Sequence, residues 1–169
     1  MSRYRSLRAG AARAVLAVTA LLLGACAAYG PSAIQRGDSE AAVRASMGSP
    51  SARYALPDGG TRLAYARGPL GRHTWMIDLD AQQRVVAISQ ALGSAQFAQL
   101  PTGIDRDELL RRLGPPAERR LRGLKPGELW SWRYPTNDCL WFQAELDGDG
   151  IFLGGSYGID PRCDVGEPS

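Results

Sequence analysis

Apolar and polar residues follow two rhythms along this chain, and the same succession of rhythms occurs twice. Between Ser39 and Pro50, Val43 and Met47 stand four positions apart among small and polar residues, the spacing of one helical face. Ser39 is a residue type that caps a helix start, and Gly48 with Pro50 ends one. Between Asp105 and Pro116, Leu109, Leu110 and Leu113 repeat the helical spacing. There Asp105 supplies the cap, Glu108 three residues on makes an acidic capping box, and Gly114 with two prolines forms the stop. A short segment precedes each helix and offers one apolar anchor, Ile34 or Leu100, which predicts a brief helical turn.

After each helix the rhythm changes to short runs rich in β-branched and aromatic residues, bounded by Gly, Asp and Pro. These runs occupy 61–67, 73–80 and 84–89 in the first half, and 128–134, 139–147 and 151–157 in the second. Each half therefore predicts one or two helices followed by a three- or four-stranded antiparallel meander. The fold class is α+β, two tandem units with short helices packed on one sheet face.

The halves keep register at an offset of 66: Gly37 with Gly103, Val43 with Leu109, Gly48 with Gly114, Pro50 with Pro116 and Arg53 with Arg119. The same offset pairs Leu63 with Leu129, Arg67 with Arg133 and Trp75 with Trp141; one inserted residue later, Leu79-Asp80 meets Leu146-Asp147. Self-similarity at a fixed period signals tandem units. Boundaries follow at 33–95 and 96–169, with a leader over 1–25 and a linker over 26–32.

The leader reads as a processing segment. Arg3, Arg5, Arg8 and Arg13 precede an apolar run from Ala14 to Leu23. That run is about half the length a spanning helix requires. Cys26 directly follows Leu-Gly-Ala, which resembles a bacterial lipobox and implies cleavage before Cys26 with lipid on its sulfur. An ordinary secretory signal ending near a cysteine is the other reading. Without the leader's arginines, 16 basic residues face 17 acidic ones. The net charge of +3 thus belongs to the leader, and no global basicity remains to suggest a nucleic-acid partner.

Cys139 and Cys163 remain as an even pair. In an oxidising compartment they are expected to form a disulfide, and two free thiols are the alternative. Closing 24 positions would stabilise the fold by roughly 3 kcal/mol. No metal or cofactor is expected. His73 is the sole histidine, and no base-and-orienter set accompanies a nucleophile. The Asp-rich stretches at 78–80 and 146–150 are read as hairpin turns, since Gly158 stands where a calcium loop needs its closing Glu.

Two features leave a choice open. Trp130, Trp132 and Tyr134 alternate and share a sheet face, which is either core or an exposed protein-binding patch. Arg111, Arg112 and Arg119, with Arg120 and Arg122, form either a solvated helix side and loop or a contact for lipid headgroups or an acidic partner.

The motif Gly-x-[Ser/Thr]-x-x-x-[Val/Leu]-x-x-x-Leu-Gly-x-Pro, with an aromatic-x-x-Ile/Leu anchor ahead and a Trp/Tyr-rich strand behind, resembles the BamE-like SmpA/OmlA lipoproteins. Gly37, Ser39, Val43, Met47, Gly48 and Pro50 carry it in the first unit. Phe97, Leu100, Gly103, Asp105, Leu109, Leu113, Gly114 and Pro116 carry it in the second. The pattern Met-Thr after the first Gly is replaced by Asp38-Ser39 and Ile104-Asp105. In tandem form the fold is similar to that of the β-lactamase inhibitor protein. The resemblance implies a non-catalytic binding or scaffold protein, lipid-anchored at the periplasmic face of the outer membrane. Its partner would be an envelope protein, such as the barrel-assembly machinery. The alternative is an inhibitor that grips an enzyme through a concave double sheet.

Overall fold

In the computed structural model, residues 30–68 and 70–163 are described. The leader and Cys26 lie outside them. The first unit runs from a 3-10 turn at Pro31–Ala33 through α1 (Glu40–Met47) to β1 (Ala52–Ala55), β2 (Thr61–Ala66), β3 (Thr74–Leu79) and β4 (Val85–Gln90). The second has α2 (Ser94–Ala98), α3 (Arg106–Leu113), β5 (Glu118–Leu121), β6 (Glu128–Arg133), β7 (Leu140–Leu146) and β8 (Phe152–Ile159), then a 3-10 turn at Pro161–Cys163. Each unit is a four-stranded antiparallel meander, β1-β2-β3-β4 or β5-β6-β7-β8. The α+β class with two repeated sheet units therefore holds. The expected boundary at 95/96 falls inside α2, which begins at Ser94.

Helix ends follow the capping chemistry of the sequence. Ser39 Oγ accepts from the Ala42 N–H at 3.3 Å, and Asp105 Oδ1 accepts from the Glu108 N–H at 2.7 Å. Gly48 and Gly114 close the helices at φ 80° and 75°, where only glycine is unstrained. Each helix entry is stitched to the last strand of its own sheet. The Gly37 N–H donates to Val85 O and the Gly103 N–H to Phe152 O, both at 2.8 Å.

Register is the main correction. The offset of 66 holds through the helices and into β1 and β5, but it becomes 67 from β2 onward, one hairpin earlier than expected. In the first unit Arg53 pairs with Leu63; in the second Arg119 pairs with Trp130. The added residue thus lies in the β5–β6 turn, not within β7. A one-residue slip sends every side chain to the opposite sheet face. Leu63 therefore corresponds to Trp130, Tyr65 to Trp132 and Trp75 to Phe142, instead of to Leu129, Ser131 and Trp141. Hydrogen bonds support this independently: the Tyr65 hydroxyl donates to Gly48 O (3.2 Å) and the Trp132 indole N–H donates to Gly114 O (3.1 Å).

The units stack. One face of the first sheet carries Leu63, Tyr65, Ile77 and Leu79, packed with Val43 of α1, Ile34 and Val85. The alternate positions Ala64 and Met76 join the second unit's core with Leu109, Leu113, Trp130, Trp132 and Phe142. Helix α3 is consequently shared, its leucines buried on the second sheet and its C-terminal end against the back of the first. A Cβ at Gly114 would lie 2.7 Å from Thr74 Cγ2. Arg62, paired with Asp78 at 2.6 and 2.7 Å, donates a further hydrogen bond to Arg111 O at 3.0 Å. Burying each such Leu or Val contributes roughly 1.5–3 kcal/mol, so α3 stabilises both sheets at once. Beyond β8, Arg133 and Asp160 form a buried bidentate pair at 2.5 and 2.7 Å. Cys139 and Cys163 are disulfide-bonded with Cα atoms 5.9 Å apart.

Candidate functional site: a recess in the first unit

The residues marked as possible contacts in the sequence do not assemble into one surface. Trp130, Trp132 and Tyr134 are 1, 1 and 6 % exposed. Their row faces α3, because Trp gains most from burial there and both indole N–H groups find acceptors. The binding-patch reading of this row is thereby corrected to core. Four of the five arginines, Arg111, Arg112, Arg119 and Arg122, have partners within the chain. Glu108 holds Arg111 at 2.9 Å and Arg112 at 2.6 Å. Burial pushes the Glu108 carboxyl up, but the hydrogen bonds from these two arginines outweigh it and hold the group below the usual carboxylate range. The Arg119 guanidinium lies 4.1 Å from the Trp130 ring centroid, and Arg122 pairs with Glu145. This favours the helix-side reading over a standing basic patch.

Other candidates resolve similarly. Asp80 Oδ1 accepts from the N–H groups of Gln82 and Arg84, and Asp147 Oδ1 from those of Asp149 and Ile151, which is turn chemistry. Exposed His73 stacks beside Trp75 with ring centroids 6.3 Å apart. No group of three His, Cys, Asp or Glu among the described residues is placed to hold a metal ion. No described helix is long and apolar enough to cross a membrane. Part of the back of the first sheet, at Ala64, Thr74 and Met76, packs against α3 and the second unit's core.

What the sequence did not reveal is a recess of about 540 Å³ at the end of α1. Its floor and walls include Met47, Tyr65, Trp75 and Arg67, with Ser46, Ser49 and Ser51 along one side. Two of the hydroxyls serve the framework. Ser51 Oγ donates to Ala66 O at 3.1 Å and accepts from the Ala66 N–H at 3.0 Å, which closes β1 onto β2. Burial pushes the Tyr65 phenol up, so it stays neutral and donates to Gly48 O. Ser46 and Ser49 sit just either side of the glycine stop, where the chain turns away from the helix. The recess combines an aromatic wall, a thioether and hydroxyls, the mixture typical of binding pockets.

Comparing the units explains why this space exists. In the second, Phe97 of α2 stacks on Phe142 with centroids 4.1 Å apart, and meets Tyr134 edge-on at 5.3 Å. In the first unit, the residues corresponding to Phe142 and Tyr134 are Trp75 and Arg67. The residue corresponding to Phe97 is Pro31: the Ile34 N–H donates to Pro31 O (2.9 Å) as the Leu100 N–H donates to Phe97 O (3.2 Å). A proline has no aromatic ring to stack on Trp75 from this turn. The sequence held the signal, since the aromatic of the anchor motif is present as Phe97 and missing at Pro31, but its volume became apparent only in the fold.

No family model matches the chain, and no curated protein matches it. Among solved structures it is similar to an extracellular SCP-domain protein from Bacillus anthracis at 12% identity and TM-score 0.32, covering 80% of this chain and 47% of that one. A DUF4309 family protein from Bacillus subtilis gives 10% identity and TM-score 0.28, covering 72% of this chain and 78% of that one. A cysteine-rich secretory protein from Staphylococcus aureus gives 11% identity and TM-score 0.29, covering 75% and 44%. This chain thus spans about half the length of the first and third. At these scores the likenesses carry no argument about fold or activity.

Proposed function

We propose that this chain is a lipid-anchored binding or scaffold protein at the periplasmic face of the outer membrane, related to the BamE-like family as a tandem duplication and acting by contact alone. The recess beside Trp75 carries the reading: among the described residues it supplies a partly apolar receptor at the end of α1. The leader ending in Leu-Gly-Ala-Cys26 and the Cys139–Cys163 disulfide agree with export. A tether at Cys26 confines the stack to a thin layer, which raises effective concentration and allows a modest interface to suffice. Barrel-assembly subunits are the partners that the resemblance implies.

Cross-linking in intact envelopes tests this, with the acylated chain beside a Cys26→Ala variant. Capture of barrel-assembly subunits by the acylated chain, lost in the variant, is the expected result. Capture of none, or tight inhibition of a hydrolase by the purified chain, would instead favour the inhibitor alternative.

A further inference from the structure

The second unit shows what fits the recess of the first. There, a phenyl ring from α2 lies flat on Phe142, interplanar angle 6°. In the first unit the backbone turn that delivers that ring is kept, but Pro31 stands in its place and the described residues leave a recess beside Trp75. We propose that this recess receives an aromatic side chain of a partner protein, stacked on the Trp75 indole as Phe97 stacks on Phe142. The inference rests on the binding-protein reading above and names the chemistry of that site.

Three observations fix the ligand class. The wall is a partly buried indole ring, so a planar group gains stacking that an aliphatic one does not. Met47 at the floor is the first unit's counterpart of Leu113 and is only partly buried, while Leu113 is 1 % exposed. A flexible thioether left half-covered is suited to packing on an incoming ring edge. Finally, Ser46 and Ser49 border the opening, so a ring with a polar tip keeps a hydrogen-bond partner as it enters. Single aromatic anchors in such pockets commonly dominate protein interfaces.

The probe is N-acetyl-tyrosinamide, titrated into the purified full chain and followed by Trp75 indole and Ser49 and Ser51 amide resonances, with N-acetyl-alaninamide as the control. The tyrosine amide should saturate these shifts with a dissociation constant of about 1 mM, the range for a ligand this small. The alanine amide should produce no saturable shift. Pro31→Phe restores the missing ring and should weaken binding at least about tenfold, as an occupied hot-spot pocket requires. It should also raise Tm. Trp75→Leu keeps an apolar wall without the stacking face and should likewise lose the saturable shift. Equal response to both amides, no saturation, or binding unchanged in Pro31→Phe would overturn the proposal. These readouts do not depend on the anchor or on the envelope partner. A failed envelope capture with a positive titration therefore refutes the scaffold reading alone, and the converse refutes the ligand class alone.

Discussion

Replacing each helix-stop glycine by alanine separates the cost of the stop from the cost of the stack. Gly48 and Gly114 have nearly the same backbone, φ 80° with ψ −159° and φ 75° with ψ −174°. An alanine in that region carries about 1–3 kcal/mol of strain at either site. Around Gly48 no atom lies within 4 Å of the added Cβ. At Gly114 the Cβ meets Thr74 Cγ2 at 2.7 Å and Met76 Cε at 3.3 Å, both on the back of the first sheet. Overpacking of this kind adds about 1–3 kcal/mol. Gly114→Ala should therefore destabilise by about 2 kcal/mol more than Gly48→Ala, measured from urea midpoints with unchanged m-values. Adding Thr74→Ala removes the clashing methyl, so the pair Thr74→Ala and Gly114→Ala should couple favourably by about 1 kcal/mol. Equal losses for the two glycine variants, within about 0.5 kcal/mol and without coupling to Thr74, would refute the shared position of α3.

Other outcomes follow from single contacts. Burial pushes the Asp160 carboxyl up, but the Arg133 hydrogen bonds and the Arg162 backbone N–H outweigh it and hold it below the usual range. A depressed carboxyl contributes stability above its unfolded value of about 3.9 and loses it as pH falls through the folded value. Asp160→Asn should thus cost about 3 kcal/mol at neutral pH, with the gap to the native chain narrowing below about pH 4 in acid-dependent melts. A pH-independent gap would contradict this. Reduction of Cys139–Cys163 should remove roughly 3 kcal/mol, read as a shift of the denaturation midpoint; an unchanged midpoint would show that the closed loop adds nothing. Tyr65→Phe deletes the hydroxyl that meets Gly48 O and should cost about 1 kcal/mol in the same assay, whereas no loss would remove the parallel with Trp132.

Much of this architecture was legible in the residues. Caps at Ser39 and Asp105, stops at Gly48 and Gly114, and the burial of Val43, Leu109 and Leu113 follow from local chemistry that acts within one helical turn. Register was not legible past β1, because Leu63 with Leu129 and Trp75 with Trp141 are chemically plausible matches one residue out of phase. Only ladder partners decide the phase, and they place the insertion in the β5–β6 turn. The consequence reached the candidate site. An offset of 66 sets Trp130 and Trp132 against Ala64 and Ala66; the observed offset of 67 sets them against Leu63 and Tyr65, ordinary core positions. The recess escaped for a different reason. It arises from a side chain that is absent, and periodicity counts only residues that are present. The stacking of α3 on the first sheet was equally hidden, since Ala64 and Met76 look like minor positions until another unit covers them.

The claim on which the functional account turns is that this stack is held at a membrane by residue 26 and works from there. Intact-mass and N-terminal peptide analysis of the chain recovered from bacterial envelopes tests it most directly. The account predicts a mature chain that begins at Cys26, with a diacylglyceryl thioether on its sulfur and residues 1–25 removed. A chain cut elsewhere with an unmodified Cys26 thiol, or one that retains its leader, would contradict it.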